Sequence, residues 1–140
     1  MPENVHRLAP AGVAPGRGYS QVAWGTGRLI TVSGQVSCDE HGTPVGEGDP
    51  AAQTRQVFAN ISRCLAEAGA TLADVIKLTY FVTDIAYLPA VRIARDECID
   101  TTRPPASSAV AVTALFSPDY LVEIEALAVI PEPEAEAGPS

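Results

Sequence analysis

The sequence predicts an α+β domain in which two helices cover one face of a mixed sheet of about five to six strands. Three observations predict it. The segments read in the order strands, helix, strand, helix, strands. The first helical segment opens at Asp49-Pro50, repeats apolar residues at helical spacing and stops at Gly69. The remaining apolar segments alternate with polar residues at period two, as strands with two unlike faces do.

Residues 1–18 hold Pro2, Pro10, Pro15, Gly12, Gly16 and Gly18, which predict an irregular N-terminal arm. A single domain is expected over 19–130, a size that one core can serve. Tyr19 to Trp24 reads as a short strand, Gly25-Thr26-Gly27 as a turn, and Arg28 to Ser33 as a second strand. Residues 39–48 are polar and glycine-rich, a loop, with a small strand near Val36. Asp49 is a good N-cap and Pro50 suits the first helical position. Val57, Ile61, Cys64, Leu65 and Ala68 then share one helical face, and Gly69 ends the helix. Asp74 to Val82 is the central strand. The second helix runs from Leu88 to about Cys98, with Leu88, Val91, Ala94, Arg95 and Cys98 near one side. Pro104-Pro105 keeps the chain extended into a strand from Ser107 to Ala114, Phe116 to Tyr120 is a loop, and Leu121 to Ile130 is the last strand. Residues 131–140, proline- and glutamate-rich, are expected to form a disordered acidic tail.

Strand alternation divides the sheet. Ile30 and Val32, Ile76 and Leu78, Val110 and Val112, and Val122 and Ile124 form an apolar set suited to the helix-covered side. The opposite set is mixed: Leu29, Thr31 and Ser33; Lys77, Thr79 and Phe81; Ser107, Ala109 and Ala111; Leu121, Glu123 and Glu125. Two helices cannot cover both faces. Leaving large residues such as Leu29, Phe81, Leu121 and Leu127 in water forgoes roughly 1.5–3 kcal/mol of burial each. The second face therefore predicts an oligomer, with polar groups gathered where subunits meet.

Composition narrows the function. A net charge of −8 supplies no basic stripe for a phosphate backbone, so nucleic acid is not an expected partner. No apolar run approaches the ~18 residues of a membrane span. No basic segment followed by an apolar one opens the chain, and a soluble cytoplasmic protein is expected. Cys38, Cys64 and Cys98 are far apart and read as buried or partly buried thiols. His6 and His41 read as exposed loop histidines, and no spacing of Cys and His suggests a metal site.

Several motifs in order carry a more specific message. Gly18-Tyr19-Ser20-Gln21, Ser33-Gly34-Gln35, Arg103-Pro104-Pro105-Ala106-Ser107-Ser108 and Leu121-Val122-Glu123-Ile124-Glu125-Ala126 together resemble the Rid family of reactive intermediate deaminases, also called YjgF. The likeness runs from about Gly16 to Val129, and the stretches 46–57 and 75–84 also look typical. It implies a chorismate-mutase-like α+β fold. It implies a homotrimer whose sheets form a central barrel with the helices outside, and three ligand clefts between subunits. It further implies hydrolysis of small imines or enamines, often 2-imino acids, to a keto compound and ammonia, without metal or organic cofactor.

The family's tyrosine in Gly-Pro-Tyr is Tyr19 here, preceded by Gly18 in place of proline. The serine and glycine of Ser-Gly-Gln are Ser33 and Gly34, and the first glutamate of Glu-Ile-Glu is Glu123. The deaminases usually carry Pro-Ala-Arg-Ser; the arginine position holds Ser107, and the cysteine or threonine two residues later falls on Ala109. An asparagine frequent on the second helix falls on Arg92. The resemblance thus implies that Glu123 orients or deprotonates water, as a carboxylate in a semi-enclosed cleft can. Tyr19 and Ser33 would hold the reacting centre, and Gly34, Ser107, Ser108 and Ala109 would shape the pocket. Arginine clamps a carboxylate through its planar fork. Serine cannot, and losing such a buried pair costs about 2–5 kcal/mol. Arg92 is the first candidate to replace it, ahead of Arg103 and Arg17.

Plainer readings stand beside these. Glu123 and Glu125 could be hydrated or paired with Lys77, Tyr19 a strand aromatic, Ser33 part of a turn, Ser107 a residue of the subunit interface, and Arg92 a solvated helix residue. Two functions of different kinds follow. One is a hydrolase or deaminase for a small imine, enamine or related labile metabolite, with specificity altered at Ser107. The other is a non-catalytic small-molecule-binding or regulatory trimer. An endoribonuclease is disfavoured by charge.

Overall fold

The computed structural model describes residues 4–132. Four strands form the main sheet in the order β3-β6-β4-β5: β3 (Arg28–Gln35), β6 (Val122–Ile130), β4 (Val75–Val82) and β5 (Ala106–Ala111). β6 pairs antiparallel with both of its neighbours, whereas β5 runs parallel to β4. That parallel pairing needs a crossover, and α2 (Leu88–Asp96) lies within it. α1 (Pro50–Glu67) bridges β3 and β4 in sequence. A two-stranded ribbon of β1 (Val5–Arg7) and β2 (Val22–Trp24) completes the architecture, which is the expected α+β sheet with two helices on one face. The single chain closes no barrel among its described residues, because β3 and β5 remain edges.

α1 forms for reasons visible in its ends. The Asp49 side chain accepts from the Ala52 amide at 3.1 Å and Pro50 fills the first position. At the other end Gly69 takes φ +80°, letting the Ala70 amide reach Leu65 O and its own amide reach Ala66 O, a Schellman closure. Between them Val57, Phe58, Ile61 and Leu65 are buried against the sheet. The sheet contributes Ile30, Val32, Val75, Leu78, Val82, Val122 and Ile124 to the same core, with Leu88 and Val91 of α2. Gln53 is buried yet satisfied: it donates to Gly46 O and Asp119 O and accepts from the Leu121 amide, pinning the loop that leads into β6.

The structure differs from the sequence reading in definite places. The segment 1–18 is not wholly irregular, since Val5–Arg7 pairs with Val22–Trp24. His6, on that strand, is not an exposed loop residue. Its Nδ1 lies 2.8 Å from Pro104 O, and its Nε2 is buried without a partner. No strand forms at Val36; Cys38 and Pro44 make an isolated bridge instead. Cys64 is exposed rather than buried. Ile76 does not share the core face with Leu78. A register shift between Val75 and Lys77 turns Val75 inward and leaves Ile76 only partly buried. Val110 is 45% exposed and lies on the uncovered side beside Phe81. Within the acidic tail, 133–140 lie outside the described residues.

Candidate active site

The predicted site residues fall into two groups on opposite faces of the sheet. The first group lies on the helix side, where β5 overhangs the end of α2. Register sets it: in the parallel β4–β5 ladder Ser107 stands beside Leu78 and Ala109 beside Tyr80, both inward-facing. Strand alternation in the sequence predicts Ser107, Ala109 and Ala111 on the uncovered face, whereas the pairing with β4 turns them to the helix side. A run of Ala and Ser offers no hydrophobic contrast, so nothing in it fixes parity, and a slip of one residue reverses every side chain.

Tyr19 is carried to this group by the turn before it. Gly18 adopts φ +77°, and a Cβ on Gly16 would meet Tyr19 O at 2.1 Å, so both glycines are required by the backbone path. Ser20 then anchors the strand start, its amide donating to Pro105 O and its hydroxyl to Pro104 O, in a parallel bridge to Ala106. Tyr19, Gln21, Tyr80, Leu88, Val91, Arg92, Arg95, Ser107 and Ala109 together line a cavity of about 340 Å³. Arg92 is exposed at its rim, while Arg95 is only 6% exposed in its wall. Arg103 is not available to it, since its Nη2 donates to Asn4 O.

The second group lies on the uncovered face. β3 carries a bulge between Val32 and Gln35, so Ser33 and Gly34 are the residues that depart from regular pairing with β6. There the Glu123 carboxylate sits against Gly34: a Cβ on Gly34 would lie 2.4 Å from Oε2 and 2.8 Å from Cδ. Glycine therefore admits the carboxylate. Partial burial pushes the Glu123 carboxyl above the usual range, and the nearby Glu125 adds to the rise. Among the described residues no salt bridge holds either glutamate. Lys77 donates to Ser108 at 2.9 Å, which puts Ser108 on this face, opposite Ser107. Ser33 shares a shallow groove with Thr31, Lys77, Thr79 and Glu125.

Two residues that sequence reasoning missed stand in the first group. Tyr80 is 4% exposed and its hydroxyl has no hydrogen-bond partner. Arg95 was legible only as an arginine placed on the apolar stripe with Leu88 and Val91, an anomaly that marks a buried cation. Among the described residues no three His, Cys, Asp or Glu side chains gather as a metal site. No helix among them is long and apolar enough to cross a membrane.

A two-helix α+β sheet carrying the Tyr19, Ser33, Ser107 and Glu123 motifs in this order along the chain is the pattern of the small Rid-type domains. The chain belongs to the family described as Endoribonuclease L-PSP, the Rid/YjgF family, whose profile matches residues 9–130. A RutC family protein of Synechocystis sp. is 38% identical over 124 residues, covering 88% of this chain and 92% of the relative. The 3-aminoacrylate deaminase RutC of Acinetobacter baylyi is 35% identical, covering 91% and 98%. Among solved structures, the Rid-family protein YyfB of Yersinia pestis superposes with a TM-score of 0.80 at 36% identity, covering 91% of this chain and 99% of that one. A deaminase-like role is thereby supported at the level of the family.

Proposed function

We propose that this protein hydrolyses a small imine or enamine in clefts that a second subunit of a homotrimer completes. The observation that carries the reading is Glu123, a partly buried carboxylate laid against Gly34 with its proton affinity raised. Such a group orients a water and takes its proton as the oxygen attacks the imine carbon. The C=N electron pair moves to nitrogen; protonation and cleavage of the C–N bond then release ammonia and leave the keto compound. Tyr19 and Ser33 hold the reacting centre by hydroxyl contacts. Gly34 gives the carboxylate room, and Ser107 and Ala109 shape the cavity floor, with Ser108 on the Glu123 side.

The separation of the two groups supports a shared cleft. Val110 and Glu123 both lie beside Phe81, on strands flanking β4, so they are about 10 Å apart at the usual strand spacing. Ser107 is three residues farther along and faces the other way. One chain cannot bring Ser107 and Glu123 onto one small molecule, whereas the cavity of one subunit and the uncovered face of the next can. The net charge of −8 favours a small metabolite over RNA as the substrate, despite the family's description.

Imines generated in situ, both 2-imino acids and uncharged ones, test the reading directly. The wild type is expected to accelerate hydrolysis of at least one class, and Glu123→Ala to lower that rate by about 10²-fold or more. Saturable binding of such compounds with no turnover of any would replace it with the reading of a ligand-binding or regulatory trimer.

A further inference from the structure

We propose that Arg95 of α2, together with the Tyr80 hydroxyl, forms the anion-binding end of the cavity and selects a substrate bearing a carboxylate. The inference rests on the hydrolase reading for its substrate but not for its geometry. Arg95 and Ser107 line the same cavity. The short side chain at 107 leaves that space open, and the cation is supplied from the facing helix.

Three observations support this. Arg95 is almost wholly buried, with its side chain 7% exposed, yet its one ion-pair partner is the adjacent Asp96, whose side chain is 48% exposed. Nε and Nη2 both address the same Asp96 oxygen, and among the described residues Nη1 donates to no acceptor. A half-exposed carboxylate screened by water compensates a buried guanidinium only in part. Second, the Tyr80 hydroxyl is buried without a partner on the same cavity. Burial pushes its pKa up, against the neighbouring Arg95 guanidinium, which lowers it by its charge and by donating toward the phenol oxygen, so the hydroxyl stays protonated and keeps its own proton to donate. A ligand oxygen accepting from the Tyr80 hydroxyl and from the guanidinium beside it would give the Tyr80 proton the acceptor it lacks and the buried cation a second anionic partner. Third, Gly18 packs on the guanidinium: a Cβ there would lie 2.5 Å from Nη2. The turn that delivers Tyr19 therefore also fixes Arg95, and no side chain at 18 comes between them. Arg92 at the rim adds a second positive charge, so two of the chain's nine basic residues meet at one cavity of an acidic protein.

The test uses pyruvate and its neutral counterpart pyruvamide, titrated into the full-length protein and followed by calorimetry and by the Arg95 Nε–H resonance. The wild type should prefer pyruvate, with that resonance shifting on saturation. Arg95→Met should lose about ten- to a hundredfold in pyruvate affinity, the range of a charged hydrogen-bonded pair, with pyruvamide affinity unchanged. Tyr80→Phe, which removes a hydroxyl whose proton has no acceptor in the free protein, should weaken pyruvate by a smaller factor. It serves if Arg95→Met does not fold. Equal affinity for the two probes, or an Arg95 signal indifferent to pyruvate, overturns the proposal. Imine turnover separates this from the hydrolase reading. Arg95-dependent pyruvate binding without turnover sinks only the hydrolase. An Arg95→Met variant that turns over charged imines with the wild-type rate and the wild-type preference over neutral ones sinks only the anion site.

Discussion

Glu123 keeps its proton more readily than a solvated glutamate because partial burial disfavours its charge and Glu125 repels it. The sign of the pH dependence follows. The base is active when deprotonated, so kcat/KM should rise with pH through an apparent pKa above that of ordinary glutamate. Glu125→Gln removes the repulsion and should move this acid limb to lower pH while leaving the high-pH plateau in place. A limb that stays fixed, or moves upward, would show that Glu125 does not act on the base. Gly34→Ala tests the same carboxylate sterically. The added methyl occupies the space of Oε2 and Cδ, so turnover should fall by about tenfold or more through misplacement of the base. A thermal midpoint within a few degrees of wild type would separate this from unfolding. At this scale the motif residues were legible as residues, but their grouping was not. Ser107 and Ala109 were placed on the wrong face because β5 carries small side chains whose pattern has no contrast. Arg95 went unweighed because helical spacing filed it with the core.

The helices and the order of strands were legible because their signals are local. Asp49, Pro50 and Gly69 mark α1 at both ends, and each makes the contact its residue type favours. Asp49→Ala should accordingly cost about 1 kcal/mol through loss of the cap to the Ala52 amide. Urea unfolding at fixed protein concentration would read this as a lower midpoint with an unchanged slope, and an unchanged midpoint would mean the cap is dispensable. The bulges were not legible. Ile76 does not differ in kind from its neighbours, and Gly34 hints at a bulge without fixing it, since a bulge is decided by pairing between distant strands as well as by local preference. Yet the bulge at Ser33-Gly34 lies where Glu123 approaches β3, so the feature that would build this half of the candidate site is one that local pattern only hints at. β1 was hidden for a related reason. Three residues between proline-rich stretches carry too short an alternation to be read, and their strand exists because β2 offers an edge.

The uncovered face governs the molecule as a whole. Leu29 is 62% exposed, Val110 45% and Leu127 37%, and all three lie on the side away from the helices. The sequence reading reached an oligomer from this imbalance of faces. The number three came only from the family resemblance, because alternation states that a face must be covered and says nothing of symmetry. The same face bears Glu123, whereas Ser107 and Tyr19 line the cavity on the other side, so the proposed assembly and the proposed catalysis would depend on one surface. Replacing Leu29 and Leu127 together with Asp puts two charges where apolar contact is expected. The double variant should run as a monomer in size-exclusion chromatography with light scattering, at a micromolar concentration where the wild type is expected to run as a trimer. Its core on the helix side is untouched, so far-ultraviolet circular dichroism should stay close to wild type. Imine turnover should nonetheless fall to background, because no single chain joins the two halves of the cleft. A monomer that retained full turnover would mean that one chain holds a complete site, and the shared cleft would have to be abandoned even if the trimer itself proved real.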